Sequence, residues 1–216
     1  MAQKPKPPVA DEKHIRHLLQ KYSCPVQYHE VRTRFLGSIA TPMPVQPLQI
    51  VKDLWGGELP GFESMDAVNE LIGALINELW NSLTRHQKRT DPFRLTRIMT
   101  GSTRQELGDL ALLRRQELDG FVEGLFIGQD RIDLPEKARS SLDTLGEIRA
   151  MMAGIHELAA SATKSAKADD LAQTFKHVRE LTLIIEREIN VVVLDCTRAR
   201  RQMMKSGIGF QPPRLH

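Results

Sequence analysis

Paired carboxylates, imidazoles and thiols are the groups that carry acid–base, metal and nucleophilic chemistry, so their spacing decides which of these is open to the chain. Asp119 and Glu123 stand four residues apart, with Arg115 four residues before Asp119 and with Asp130 and Asp133 further on. On a helix the pair shares one face, an arrangement suited to a divalent metal or to an acid and a base. The competing reading is an i, i+4 ion pair between Arg115 and Asp119, and no Glu-x-x-His motif lies nearby to complete a di-metal bundle site. The histidines are His14, His17, His29, His86, His156, His177 and His216. His14 and His17 are three apart on a short helix but have no third ligand, which favours solvated side chains. Cys24, beside Pro25, is expected to be an exposed free thiol, whereas Cys196 falls on an apolar stripe and reads as a small buried core residue. Nucleophile-elbow, phosphate-loop, dinucleotide-binding, His-Glu-x-x-His and EF-hand signatures are all absent. No catalytic residue, metal ligand or cofactor is therefore assigned, and the chain is read as non-enzymatic.

Two other groupings invite a role. Gly120, Gly124 and Gly128 are spaced by four and strip one helix face of side chains. Each interior glycine costs about 0.5–1 kcal/mol relative to alanine, so a compensating close contact with a neighbouring helix is expected, with a ligand against the bare backbone as the alternative. Arg198, Arg200, Arg201 and Lys205 crowd the end of the last helix. Some of them complement its negative C-terminal dipole, and the rest leave room for contact with nucleic acid or an acidic protein partner.

The elements that must position these residues read as helices throughout. No run of β-branched alternation marks a strand, so the expected fold is all-α, a bundle of about six or seven helices closed by a long C-terminal one. Asp11 caps a short helix to about Tyr22, and a second runs from about Glu30 to Ile39. Thr41 to Pro47 is a proline-rich connector, and a third helix from Pro47 to about Trp55 stops at Gly56-Gly57. Val68, Leu71, Leu75, Leu79 and Leu83, widened by Ile72, Ile76 and Trp80, predict a core helix over about 65–88. Asp91-Pro92 breaks the chain. Thr103 and Glu106 match a capping box at the head of a helix that carries the glycine stripe and stops at Gly128. Another helix follows Pro135 to about Ala160. The last, from an Asp169 N-cap, keeps Leu171, Phe175, Val178, Leu181, Ile185, Val192, Cys196, Ala199 and Met203 on one face. Residues 11–205 are expected to form one domain, between a disordered arm (1–10, with Pro5, Pro7 and Pro8) and a flexible tail (206–216).

Composition narrows the setting. At 216 residues and 41% hydrophobic content the chain is able to bury a core without disulfide or metal staples. Aliphatic runs such as Val191–Leu194 fall far short of the roughly 20 apolar residues of a membrane span. Met1 to Pro8 lacks the apolar block of a secretory signal, so a cytoplasmic protein with no membrane contact is expected. The net charge of +3 conceals an asymmetry. Residues 1–36 carry seven bases against three acids, residues 197–216 carry five bases and no acid, and the body between them is net acidic. The basic ends either meet an anionic partner or lie on the acidic body of this chain or of a second copy.

Several segments, taken in order, resemble the YecA/YgfB-like proteins, a bacterial family of helical proteins. They are Phe35-Leu36-Gly37-Ser38-Ile39-Ala40-Thr41-Pro42, then Ile50-Val51-Lys52-Asp53-Leu54-Trp55-Gly56-Gly57, then Leu118-Asp119-Gly120-Phe121-Val122-Glu123-Gly124-Leu125 with Leu134-Pro135, and the helix from Val178 to Asp195. Val31-Arg32-Thr33 stands where the family carries a Leu-Asp-Gly-like entry, and the C-terminal segment lacks the cysteine-rich zinc module of longer relatives. The resemblance implies an all-α bundle without a known reaction. The leading expectation is a protein-interaction or regulatory module with a protein partner, as a homodimer or otherwise. A nucleic-acid-binding protein is the second reading, and a metal-dependent enzyme using Asp119 and Glu123 the third.

Overall fold

Local chemistry sets most of the helix ends. Asp11 accepts hydrogen bonds from the amides of Lys13 and His14 and opens α1 (Glu12–Lys21). The second helix, α2 (Tyr28–Ala40), is followed by α3 (Pro47–Asp53), whose first turn holds the proline and whose exit runs through Gly56 and Gly57, both at positive φ. Ser64 caps α4 (Met65–Ile72). The helical path expected as one piece over 65–88 is continuous but changes winding. It passes through a π-wound stretch (Gly73–Trp80), α5 (Asn81–Leu83) and a 3-10 turn (Thr84–Gln87). Ala74 with Leu79 and Leu75 with Trp80 are buried pairs five residues apart, and i→i+5 winding brings such positions nearer to one face than an α-helix does.

The capping box of Thr103 and Glu106 heads α6 (Arg104–Phe126), and α7 (Glu136–Ala160) follows Pro135. The long α8 (Ala168–Lys205) begins before Asp169, so Asp169 and Asp170 occupy its first turn and complement the dipole there instead of capping it. The computed structural model describes residues 10–98, 101–161 and 168–205, and among them the regular elements are all helical, with no strand. The expected arm, apart from Ala10, and the expected tail lie outside the described residues. A single hydrophobic core joins side chains from every part of the described chain, from Ile15 to Cys196. The stripe of α8 leaves that core before its end, since Met203 is 42% exposed.

The tightest contact is between α2 and α6. A Cβ on Gly120 would sit 2.6 Å from the Glu30 carbonyl oxygen, one on Gly124 would strike the Arg34 carbonyl, and one on Gly37 would strike the Phe121 carbonyl and lie 2.7 Å from the Leu125 nitrogen. Glycines on both helices therefore let the two backbones touch. Gly128 has no part in this, contrary to the expectation from spacing. It lies past the helix end at φ +69°, with nothing within 4 Å of its Cβ position, and with Ile127 it forms the left-handed turn that ends α6.

The second organising feature is an extended strap, residues 93–96, threaded between α6 and α8. Phe93 and Leu95 alternate into the core. The strap has no strand beside it, so its backbone groups are paired by side chains, as buried backbone requires. Asn190 of α8 accepts from the Phe93 amide (2.8 Å) and donates to its carbonyl (3.0 Å). Glu186 accepts from the Leu95 amide (3.0 Å) and pairs with Arg94. From α6, Glu117 accepts from the Thr96 amide (2.7 Å) and Arg114 donates to the Thr96 carbonyl (2.8 Å). Arg114 and Glu117 also pair with each other, both buried, and Arg114 reaches Thr182 at 3.2 Å. Arg32 of α2 covers the strap, stacked on Phe93 with its guanidinium donating to the Arg94 carbonyl.

Gly124→Ala is expected to destabilise the protein by about 1–3 kcal/mol through overpacking, whereas Gly146→Ala, in open space on α7, gains about 0.5–1 kcal/mol; chemical denaturation separates the two. Asn190→Ala orphans two strap backbone groups and is expected to cost about 1–3 kcal/mol, with hydrogen exchange of the Phe93 amide accelerated in the same variant.

Candidate functional site

The residues of the candidate acid–base pair are occupied by arginines. Asp119 pairs with Arg149 of α7 and lies 3.6 Å from Arg115, while Glu123 pairs with Arg34 of α2. These contacts tie α6 to α7 and α2. Asp133 is 3.9 Å from Arg139, and Asp130 shares a shallow surface depression with Asp53 and Glu123. Among the described residues, no three His, Cys, Asp or Glu side chains converge as a metal site would require.

The histidines are scattered. His14 approaches Glu70 at 3.7 Å, His29 bonds Gln116 at 2.9 Å, and His156 Nδ1 bonds the Gly108 carbonyl at 3.1 Å. His86 donates from Nδ1 to the Asp91 carbonyl at 2.8 Å and meets Phe93 edge-on. Burial lowers the pKa of both His29 and His86. Cys24 is half-buried, not exposed as its place beside Pro25 suggested, because its thiol turns toward the Leu54 carbonyl; burial raises its pKa. Cys196 is buried, and desolvation pushes its thiol to about 12.

The basic group at the end of α8 separates into two roles. Arg200 turns inward and donates to the carbonyls of Ile39 and Thr41, each at 3.1 Å, while Gln87 donates to Ile39 at 3.2 Å. It thus satisfies the C-terminus of α2, and desolvation lowers its pKa, with the charge of Arg201 adding to the effect. This is an internal contact and removes Arg200 from the expected partner surface. Arg198, 3.5 Å from Asp195, remains at the surface with Arg201 and Lys205.

These three line a cleft of about 440 Å³ whose opposite wall is Gln87, Lys88 and Arg89, with Leu194, Thr197 and Gln202 completing it. Five cationic side chains from two elements therefore face one space. Thr197, 2% exposed, contributes a hydroxyl with no hydrogen-bond partner. Sequence reasoning found the α8 half of this cleft and missed the other. The adjacent bases Lys88 and Arg89, just before the Asp91-Pro92 break, were the available signal.

A second surface is apolar. Met151, Gly154, Ile155 and Leu158 of α7 and Leu181 and Ile184 of α8 line a groove of about 640 Å³, bordered by Thr174, His177 and Glu180. Met151 is 51% and Leu158 68% exposed, and Leu183, on α8, is 62% exposed. Gly154 leaves the groove floor open, with nothing within 4 Å of its Cβ position. The signal for this surface was a second stripe on α7, Met151, Ile155 and Leu158, displaced from the core stripe of Leu145, Ile148 and Met152. No helix among the described residues is long and apolar enough to cross a membrane. No family model matches the chain, and neither does any curated protein or solved structure.

A depressed histidine pKa means that the unfolded chain binds more protons than the folded one in the interval below the ordinary value of 6.5. The stability contributed by neutral His29 and His86 is complete above that value and falls as pH drops through their folded pKa values. Denaturation midpoints are therefore expected to decline below about pH 6.5, and less so in His86→Asn.

Proposed function

We propose that the chain is a non-enzymatic protein-interaction module that uses the groove between α7 and α8. The observation that carries this reading is the exposure of Met151 and Leu158 around an open apolar recess. Such a continuous patch is the mark of an interaction surface, and burying each of these side chains contributes about 1.5–3 kcal/mol. A groove of this kind takes an amphipathic helix read through anchors at i, i+4 and i+7. Met151, Ile155 and Leu158 have that spacing themselves. The wall of the groove is thus also the kind of helix that fits it, which makes a second copy of this chain, related by a two-fold axis, the occupant.

The kinship proposed with the YecA/YgfB-like proteins is supported by one spatial fact. Gly37 in the first segment of the resemblance packs on Phe121 and Leu125 in the third, and Gly120 and Gly124 of the third pack on α2. Two of the four segments that carry the likeness thus meet in one helix contact, and the kinship itself rests on the likeness.

Leu158→Asp is the test, because a side chain already 68% exposed in the monomer is replaced with little effect on the fold. Light scattering over a wide concentration range is expected to give a dimer for the wild-type chain and a monomer for the variant, with equal helical circular dichroism. A wild-type chain that stays monomeric throughout overturns the assignment of a second copy.

A further inference from the structure

We propose that the cleft between the Gln87–Arg89 turn and the last turns of α8 is a binding site for the phosphate groups of a nucleic-acid backbone. Lys88 and Arg89 reach it from one side, and Arg198, Arg201 and Lys205 from the other. Among the described residues, Arg198 has Asp195 as its counter-ion, and none of Lys88, Arg89, Arg201 and Lys205 has a carboxylate partner. Gathering cations without acids raises the local potential and concentrates anions there.

Cations on one wall alone describe a surface; cations on two facing walls describe a site. Thr197 sits at the base of the cleft, 2% exposed, with its Oγ1 unbonded. That oxygen is sealed from solvent, so the grip on a ligand falls to the cations that face each other across the cleft. The lining residues are cations, glutamines, Leu194 and Thr197, with no aromatic ring for a base to stack on. The ligand is therefore held through its phosphates irrespective of base, which favours a polynucleotide backbone over a free nucleotide. Arg200, whose guanidinium is spent on the end of α2, takes no part. This site lies on residues separate from the apolar groove and stands whether or not the chain dimerises.

The test uses the full chain, a fluorescent double-stranded oligonucleotide of mixed sequence, and inorganic phosphate as competitor. Binding is expected to weaken steeply with salt. The double variant Arg89→Gln/Arg201→Gln should reduce the logarithmic salt slope by about two phosphate contacts. Inorganic phosphate should compete only in large excess. Failure of the oligonucleotide to bind at low salt overturns the proposal, as does binding that survives unchanged in the cleft variants. Binding of inorganic phosphate without the oligonucleotide overturns the polynucleotide as the source.

Discussion

The architecture depends on a demand made by four residues of extended backbone. The strap at 93–96 brings Phe93 and Leu95 into the core, and every amide and carbonyl it carries inward needs a partner that an all-helical protein cannot provide from a neighbouring strand. The partners are side chains instead. Glu117 and Arg114 from α6, and Glu186 and Asn190 from α8, are polar residues on faces that are otherwise apolar, and the strap is what justifies their presence there. Removing one partner of the buried Arg114–Glu117 pair would leave a charge without compensation, a change that typically costs about 3–5 kcal/mol. Such a network fixes the register of α6 against α8 as well as filling the space between them.

The glycine contact supplies what the strap does not, a direct approach of two backbones. Gly37, Gly120 and Gly124 bring α2 against α6, Arg34 with Glu123 closes over this seam, and Arg149 with Asp119 ties α6 to α7. The two carboxylates that invited a catalytic reading are thereby accounted for as ties between helices. One surface of α6 is given to close packing and another to the strap, so this helix is the element on which both depend.

Most of the fold was legible because helix signals are local. The Asp11 cap, the Thr103–Glu106 box, Pro47 and the Gly56-Gly57 stop each act within a few residues, and the sequence shows them directly. The strap was not legible, since its partners lie 18–97 residues away and nothing local to Phe93 announces Asn190. Gly128 misled because spacing by four holds only while a helix continues, and the helix ends at Phe126. Arg200 misled for the opposite reason: charge suggests the surface, yet the free carbonyls at the end of α2 draw it inward. Of the two candidate surfaces, half of the cleft was read from the sequence and the displaced stripe on α7 was not, and only the fold brings Lys88 and Arg89 opposite α8 or sets α7 beside Leu181 and Ile184.

The separations within the strap also bear on the order in which the chain is able to fold. Its bonds to α6 close segments of 18 and 21 residues, whereas those to α8 close segments of 91–97. By loop-closure entropy the longer closure costs about 1.4 kcal/mol more than the shorter, before any strain is considered. The strap therefore meets α6 at lower entropic cost than α8, and the remaining backbone groups of Phe93 and Leu95 are paired only by the distant Glu186 and Asn190. The costlier closure is the one that seats the last helix, and the two residues that secure it lie in its middle, ahead of the cationic end that forms the cleft.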